Sequence, residues 1–206
     1  MRKTFPILIL AAICAAPVAA APPALTLKVA PTVVVYGGST TATGVLSTKK
    51  TGQAIDIQAQ DCGQNAFKKV ATATTTTGGA FSAAVKATIN ANYQAKNKGA
   101  TSPTVAVKVT PLLSLQKLSL GKFKVSVTAA QSFVGKYVVF QRLRKTKWVT
   151  LKKVTLATVA TTTAPTQVTS ATFKIKLPAR LRVRSILPAT QAATCYLPVK
   201  SKAIRS

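Results

Sequence analysis

"KFKVSV" at residues 122–127 and "TFKIKL" at 172–177 decide the fold. In the first, Phe123, Val125 and Val127 alternate with Lys122, Lys124 and Ser126; in the second, Phe173, Ile175 and Leu177 alternate with Thr172, Lys174 and Lys176. A period of two puts one set of side chains in a core and the other in water, which describes a half-buried strand rather than a helix. "AIDIQA" at 54–59 repeats the pattern with Ile55 and Ile57, and "TVAVKV" at 104–109 does so again. Clusters of Gly, Pro, Thr and Asn separate these runs at the intervals of a β-sandwich, so the expected class is all-β.

The same alternation carries an unusual polar face in "LPARLRVRSILP" at 177–188, where Arg180, Arg182 and Arg184 bracket Leu181 and Val183 with no acid nearby. The whole chain has 29 Lys and Arg against 2 acids, a formal charge of +27. Such a chain repels itself and attracts polyanions. Hydrophobic residues nevertheless make up 48 % of it and are patterned, which predicts a packed core rather than a disordered basic tail.

The first residues, "MRKTFPILILAAICAAPVAAAPPA", place Arg2 and Lys3 before an apolar run and then small residues, the layout of a secretory signal peptide. Val18 and Ala20 suit cleavage after Ala20, giving a signal over 1–20 and a mature chain that begins at Ala21. Ile13 before Cys14 does not suit lipoprotein processing, and no later stretch is long and apolar enough for a spanning helix. The expected address is extracellular, with retention at the cell wall by charge as a second form of it. Removing Arg2 and Lys3 leaves +25. Removing Cys14 leaves Cys62 and Cys195, and an even count in an oxidising compartment invites one bridge, with two free thiols or an intermolecular bond as the alternatives.

The length allows two domains. "GQAIDIQAQDCGQNAFKKVATA" from Gly52 aligns with "GKYVVFQRLRKTKWVTLKKVTLA" from Gly135, the glycines and the glutamines Gln58 and Gln141 each lying 83 residues apart. "GAFSAAVK" matches "SATFKIKL" in the same way, which predicts modules over 21–110 and 111–206 joined by a short, stiff step at Thr110 and Pro111. The Thr-rich stretches "ATATTTT" and "TLATVATTTAPTQVTSAT" are expected to form a strand edge and a long exposed connection.

The chain resembles the tandem immunoglobulin-like modules of secreted actinobacterial proteins. The likeness rests on "VVVYGGSTTATGVLS" (33–47), "TGGAFSAAVKATINANYQA" (77–95), "SPTVAVKVTP" (102–111) and "VTAAQSFVGKYVVFQR" (127–142). It implies about seven strands per module in two antiparallel sheets, and it specifies fold far better than function. The chain departs from antibody-type domains in having no cysteine pair inside a module. If Cys62 and Cys195 bond, the bridge ties one module to the other.

Catalysis is poorly provided for. With no histidine, the Ser-His-Asp and Cys-His arrangements and most zinc sites are excluded. Asp56 and Asp61 are the only acids, and Asp56, between Ile55 and Ile57, is expected to face solvent. Two carboxylates do not make a calcium site, and nothing calls for a cofactor or a metal.

The cations remain. From Pro111 onward there are 18 Lys and Arg and no acid, against nine Lys and two Asp in 21–110. In an immunoglobulin-like arrangement Lys122 and Lys124 would lie beside Lys174 and Lys176 on one outer face. The other sheet would present Arg142, Arg144, Arg182 and Arg184, with Arg180 at its rim. Arginine's planar fork suits phosphate and carboxylate, so this group is the expected contact surface for an anionic cell-envelope polymer or surface glycan. Trp148 either adds a stacking platform or packs at the sandwich edge. A structural or protein-interaction module with no polymer ligand is the competing class; few aromatics and the extracellular address argue against nucleic-acid readout. Self-repulsion at +25 predicts that moderate salt raises the melting temperature of the mature chain. A melting temperature that stays flat or falls with added salt contradicts this electrostatic account.

Overall fold

The computed structural model describes residues 24–192 and 194–206. The expected signal segment, 1–20, lies outside the described residues. Nearly all described regular structure is β, as the period-two pattern requires. The first half contains β1 (Lys28–Ala30), β2 (Val33–Val35), β3 (Ser39–Val45), β4 (Ala54–Asp61), β5 (Lys68–Thr74), β6 (Ala80–Lys86), β7 (Ala91–Asn97), β8 (Ala100–Thr101) and β9 (Val105–Thr110). The second half contains β10 (Leu112–Ser119), β11 (Lys122–Ala129), β12 (Tyr137–Arg144), β13 (Lys147–Thr155), β14 (Thr158–Thr161), β15 (Gln167–Lys174) and β16 (Arg182–Leu187). It closes with a one-turn helix α1 (Ala189–Ala192), β17 (Val199–Lys200) and β18 (Ile204–Arg205).

Four sheets result. β1-β3-β6 forms one, and β2-β9-β7-β4-β5, with β8 on β7, forms a second. In the second half β10-β11-β15-β14 forms a third, and β13-β12-β16 continued by β17 and β18 forms the fourth. The last two reproduce the A-B-E-D and C′-C-F-G orders of an immunoglobulin-like sandwich. The fold is all-β and immunoglobulin-like.

Burial follows the alternation. Phe123, Val125 and Val127 on β11 and Ile55 and Ile57 on β4 are completely buried. The rings of Phe123, Phe140 and Phe173 meet at centroid distances of 5.0–5.8 Å, one ring from each of β11, β12 and β15, and knit the two sheets of the second half together.

Two local expectations need correcting. "TFKIKL" leaves the ladder after Lys174, so Ile175 and Leu177 are only half-buried; β11 begins at Lys122, and the last link is Ile175 N–H to the carbonyl of Gly121 at 2.8 Å. "TLATVATTTAPTQVTSAT" is no long loop: β14 and the start of β15 pair within it, from Thr158 opposite Ser170 to Thr161 opposite Gln167. β-Branched threonine suits a pleated surface, and composition alone hid the strand.

The two halves meet along the segment Thr194–Leu197. Cys195 is bonded to Cys62 with their Cα atoms 5.4 Å apart. Around the bridge, buried Asn90 donates its backbone N–H to the Cys195 carbonyl (3.1 Å) and its side-chain amide to the Thr194 carbonyl (3.1 Å). Its own side-chain carbonyl accepts from Val109 N–H at 2.7 Å. Tyr196 is buried, and its hydroxyl donates to the Thr88 carbonyl (2.8 Å) while accepting from Ala130 N–H (2.9 Å). That burial pushes the Tyr196 hydroxyl up to about 12, keeping the proton it donates. Closing a loop with a sequence separation of 133 restrains the unfolded chain by about 4–5 kcal/mol on the loop-entropy model. Changing both Cys62 and Cys195 to serine is therefore expected to lower stability by about 2–5 kcal/mol, read as an earlier denaturant midpoint. An unchanged midpoint would show that the bridge adds nothing to the hydrogen-bonded junction.

Candidate anion-binding surface

The junction occupies one end of the sandwich formed by the second half, where Ala130, Phe133 and Thr166 lie. β11 runs away from it for eight residues, so Lys122 sits roughly 25 Å off at the far end. There the register sets cations against cations. Lys122 lies opposite Lys174, Arg144 opposite Lys147, and Arg182 opposite Arg205. Like charges directly across a ladder are destabilising, by about 0.2–1 kcal/mol for a pair. Among the described residues the ladders of β1–β9 pair no two cations, and the single ion pair is there too: Lys69 Nζ to Asp56 at 2.7 Å. The hydrogen bond from Lys69 holds the half-exposed Asp56 carboxyl below its usual value. Asp56 faces solvent, as its place between Ile55 and Ile57 predicts.

The nine basic residues singled out in the sequence fall into four places. Lys122 and Lys124 lie on the outer face of the β10-β11-β15-β14 sheet, Lys122 across from Lys174, and Lys176 follows just past the strand end. Arg182 and Arg184 lie on the outer face of the opposite sheet, because Val183 between them and Ser185 after them are buried. Arg142 and Arg144 do not join them, contrary to expectation. Val138 and Phe140 point into the core, so Arg142 and Arg144 share the inward parity, and Arg142 stands opposite fully buried Val183. The Nε of Arg142 is buried without a hydrogen-bond partner among the described residues. It is an exception to the rule that buried donors are satisfied. Arg180 also leaves the pattern: its φ of 64° takes it out of the strand into the loop before β16.

The outer face of the β13-β12-β16-β18 sheet is the better organised surface. Arg184 lies 4.0 Å from the centroid of the Trp148 ring and donates Nε–H to Gln141 Oε1 at 3.1 Å. Gln141 is its cross-strand partner, and Trp148 is held opposite Leu143 one strand further out. Partial burial pulls the Arg184 guanidinium below its ordinary value, yet arginine remains charged in water near neutrality. Ring and amide fix the plane of the fork and leave its terminal nitrogens to bind an anion. Trp148 is thus a platform for arginine rather than an edge-packing residue.

Exposed Arg205 was not among the expected residues. It lies in a two-residue strand too short to show a period, and only the antiparallel pairing with β16 brings it opposite Arg182.

No family model matches the chain, and no curated relative does. Among solved structures the human OSCAR ligand-binding domain is similar at 14 % identity and a TM-score of 0.29, covering 91 % of this chain and 100 % of that one. Among the described residues, no helix is long and apolar enough to cross a membrane.

Changing Arg184 to Gln removes the cation from the Trp148 ring. The expected result is a rise in collisional quenching of Trp148 fluorescence and a loss of about 0.5–1 kcal/mol of stability. Unchanged quenching would mean that the stack does not hold the ring in solution.

Proposed function

We propose that this is a secreted, non-enzymatic protein that adheres electrostatically to an anionic polymer of the cell envelope, such as a phosphate- or carboxylate-bearing wall polymer or surface glycan. One observation carries the reading: Lys122–Lys174, Arg144–Lys147 and Arg182–Arg205 place like charges across the ladders of a half that contains no acid. Solubility alone is normally met with charges of both signs. Adjacent cations without counter-charges are relieved when a polyanion supplies them. The contact surface in this reading is Arg182, Arg184 and Arg205, with the Trp148 platform beside it. Lys122, Lys124, Lys174 and Lys176 extend the positive field on the opposite face, and Arg142, Arg144 and Arg180 extend it at the far end.

The bridge between Cys62 and Cys195 supports an extracellular address, because disulfides persist in oxidising compartments. We also read the chain as two copies of one module, of the secreted actinobacterial type, with charge retaining it at the wall. Gly52 and Gly135 each lead into a comparable strand: β4 lies between β5 and β7, and β12 between β13 and β16. The lack of histidine and the ion-paired state of Asp56 support a role without catalysis.

A protein-interaction role has one observation in its favour. Edge strand β2 exposes Val33 and Val35 at 53 % and 52 %. Sedimentation of the mature chain with isolated cell envelopes separates the two readings. Binding that declines with salt and is lost in the Arg182→Gln, Arg184→Gln, Arg205→Gln variant is the expected result. Absence of binding at low salt, or binding that ignores salt and depends on Val33 and Val35, would overturn it.

A further inference from the structure

We infer that the far tip of the second sandwich docks on the surface of an anionic lipid bilayer. The turn between β10 and β11 has the sequence "KLSLGK" at 117–122, with leucines where a hairpin tip ordinarily carries polar residues. A bulge between Lys117 and Ser119 breaks the register, which frees Leu118 from the ladder. Leu118 and Leu120 are 49 % and 69 % exposed. Gly121, at φ 66°, closes the turn, and a side chain there would press on the Ile175 carbonyl at 2.9 Å. The tip is therefore held against the segment after β15 rather than free to fold its leucines inward.

Beside it opens a cleft of about 810 Å³ in which Leu120, Ile175 and Leu177 supply the apolar lining and Lys122, Lys174 and Lys176 the charge. One exposed leucine is ordinary on a protein surface, but two on a protruding turn, continuous with an apolar cleft and collared by lysines, are not. Leucine side chains gain by entering hydrocarbon, and lysines on flexible stems keep their ammonium groups among headgroup phosphates. A neutral apolar partner would leave the Lys122–Lys174 pair unrelieved, whereas an anionic bilayer satisfies both kinds of group at once. The tip lies at the end opposite the disulfide junction, so docking leaves the first half clear of the membrane.

The inference shares the Lys122–Lys174 pair with the polymer reading, but the contact surface of that reading is Arg182, Arg184 and Arg205 on the other sheet. The test is co-sedimentation of the mature chain with phosphatidylcholine vesicles, with and without one-third phosphatidylglycerol. Binding is expected only to the anionic vesicles. Leu118→Ser with Leu120→Ser is expected to weaken it about a hundredfold, at roughly tenfold per leucine. Lys122→Gln, Lys174→Gln and Lys176→Gln together are expected to weaken it by a similar factor, at roughly fivefold per lysine. The leucine variant should keep the parent melting temperature and the parent binding to cell envelopes stripped of lipid, and the lysine variant, which relieves the Lys122–Lys174 repulsion, should melt no lower than the parent. The inference is overturned if anionic vesicles are not bound. It is equally overturned if the leucine variant binds them like the parent, or if binding disappears only in the Arg182→Gln, Arg184→Gln, Arg205→Gln variant. Loss of envelope binding with vesicle binding intact would remove the polymer reading and leave this one standing.

Discussion

The covalent and hydrogen-bonded junction at Cys195 and Tyr196 is the constraint on which the arrangement of the molecule depends. Both halves of the chain carry a net positive charge and repel, so something must hold them together. The segment Thr194–Leu197 does so by crossing from the second half to the first. Cys195 is bonded to Cys62, Asn90 holds the carbonyls of Thr194 and Cys195, and the Tyr196 hydroxyl links the Thr88 carbonyl to Ala130 N–H. Both the tyrosine and the asparagine are buried, so each bond forms where an unmade one would leave a polar group stranded.

With that end fixed, the cations gather at the other. The three like-charge pairs together cost about 1–3 kcal/mol at the usual scale for cross-strand pairs. The loop closed by the disulfide, with a sequence separation of 133, offsets about 4–5 kcal/mol of chain entropy. The comparison decides that the fold tolerates its own repulsion, so an unbalanced surface can be kept for binding. Salt screens the repulsion without supplying a specific partner; a polyanion does both.

Much of this was legible in the residues. The alternation in "KFKVSV" and "AIDIQA" gave the class and the buried faces of β11 and β4, and an immunoglobulin-like pairing correctly placed Lys122 beside Lys174. Arg142 leaves the expected outer face, although the alternation carries the signal for it. Counting in twos from Val138 and Phe140 points Arg142 inward, whereas a run of arginines and lysines taken alone suggests solvent. Arg180, expected at the rim of that sheet, lies in the loop before β16, and its left-handed backbone is a property of that loop which the alternation does not carry. Arg205 became visible only through pairing between distant segments.

The central claim is that the unpaired cations of the second half form a surface for a polyanion. Thermal melting in short-chain polyphosphate, against sodium chloride at matched ionic strength, tests it most directly. The account predicts a larger rise in melting temperature with polyphosphate, and an excess that shrinks when Arg182, Arg184 and Arg205 are changed to Gln. Equal rises in the two salts would contradict it, because the charge would then act through screening alone.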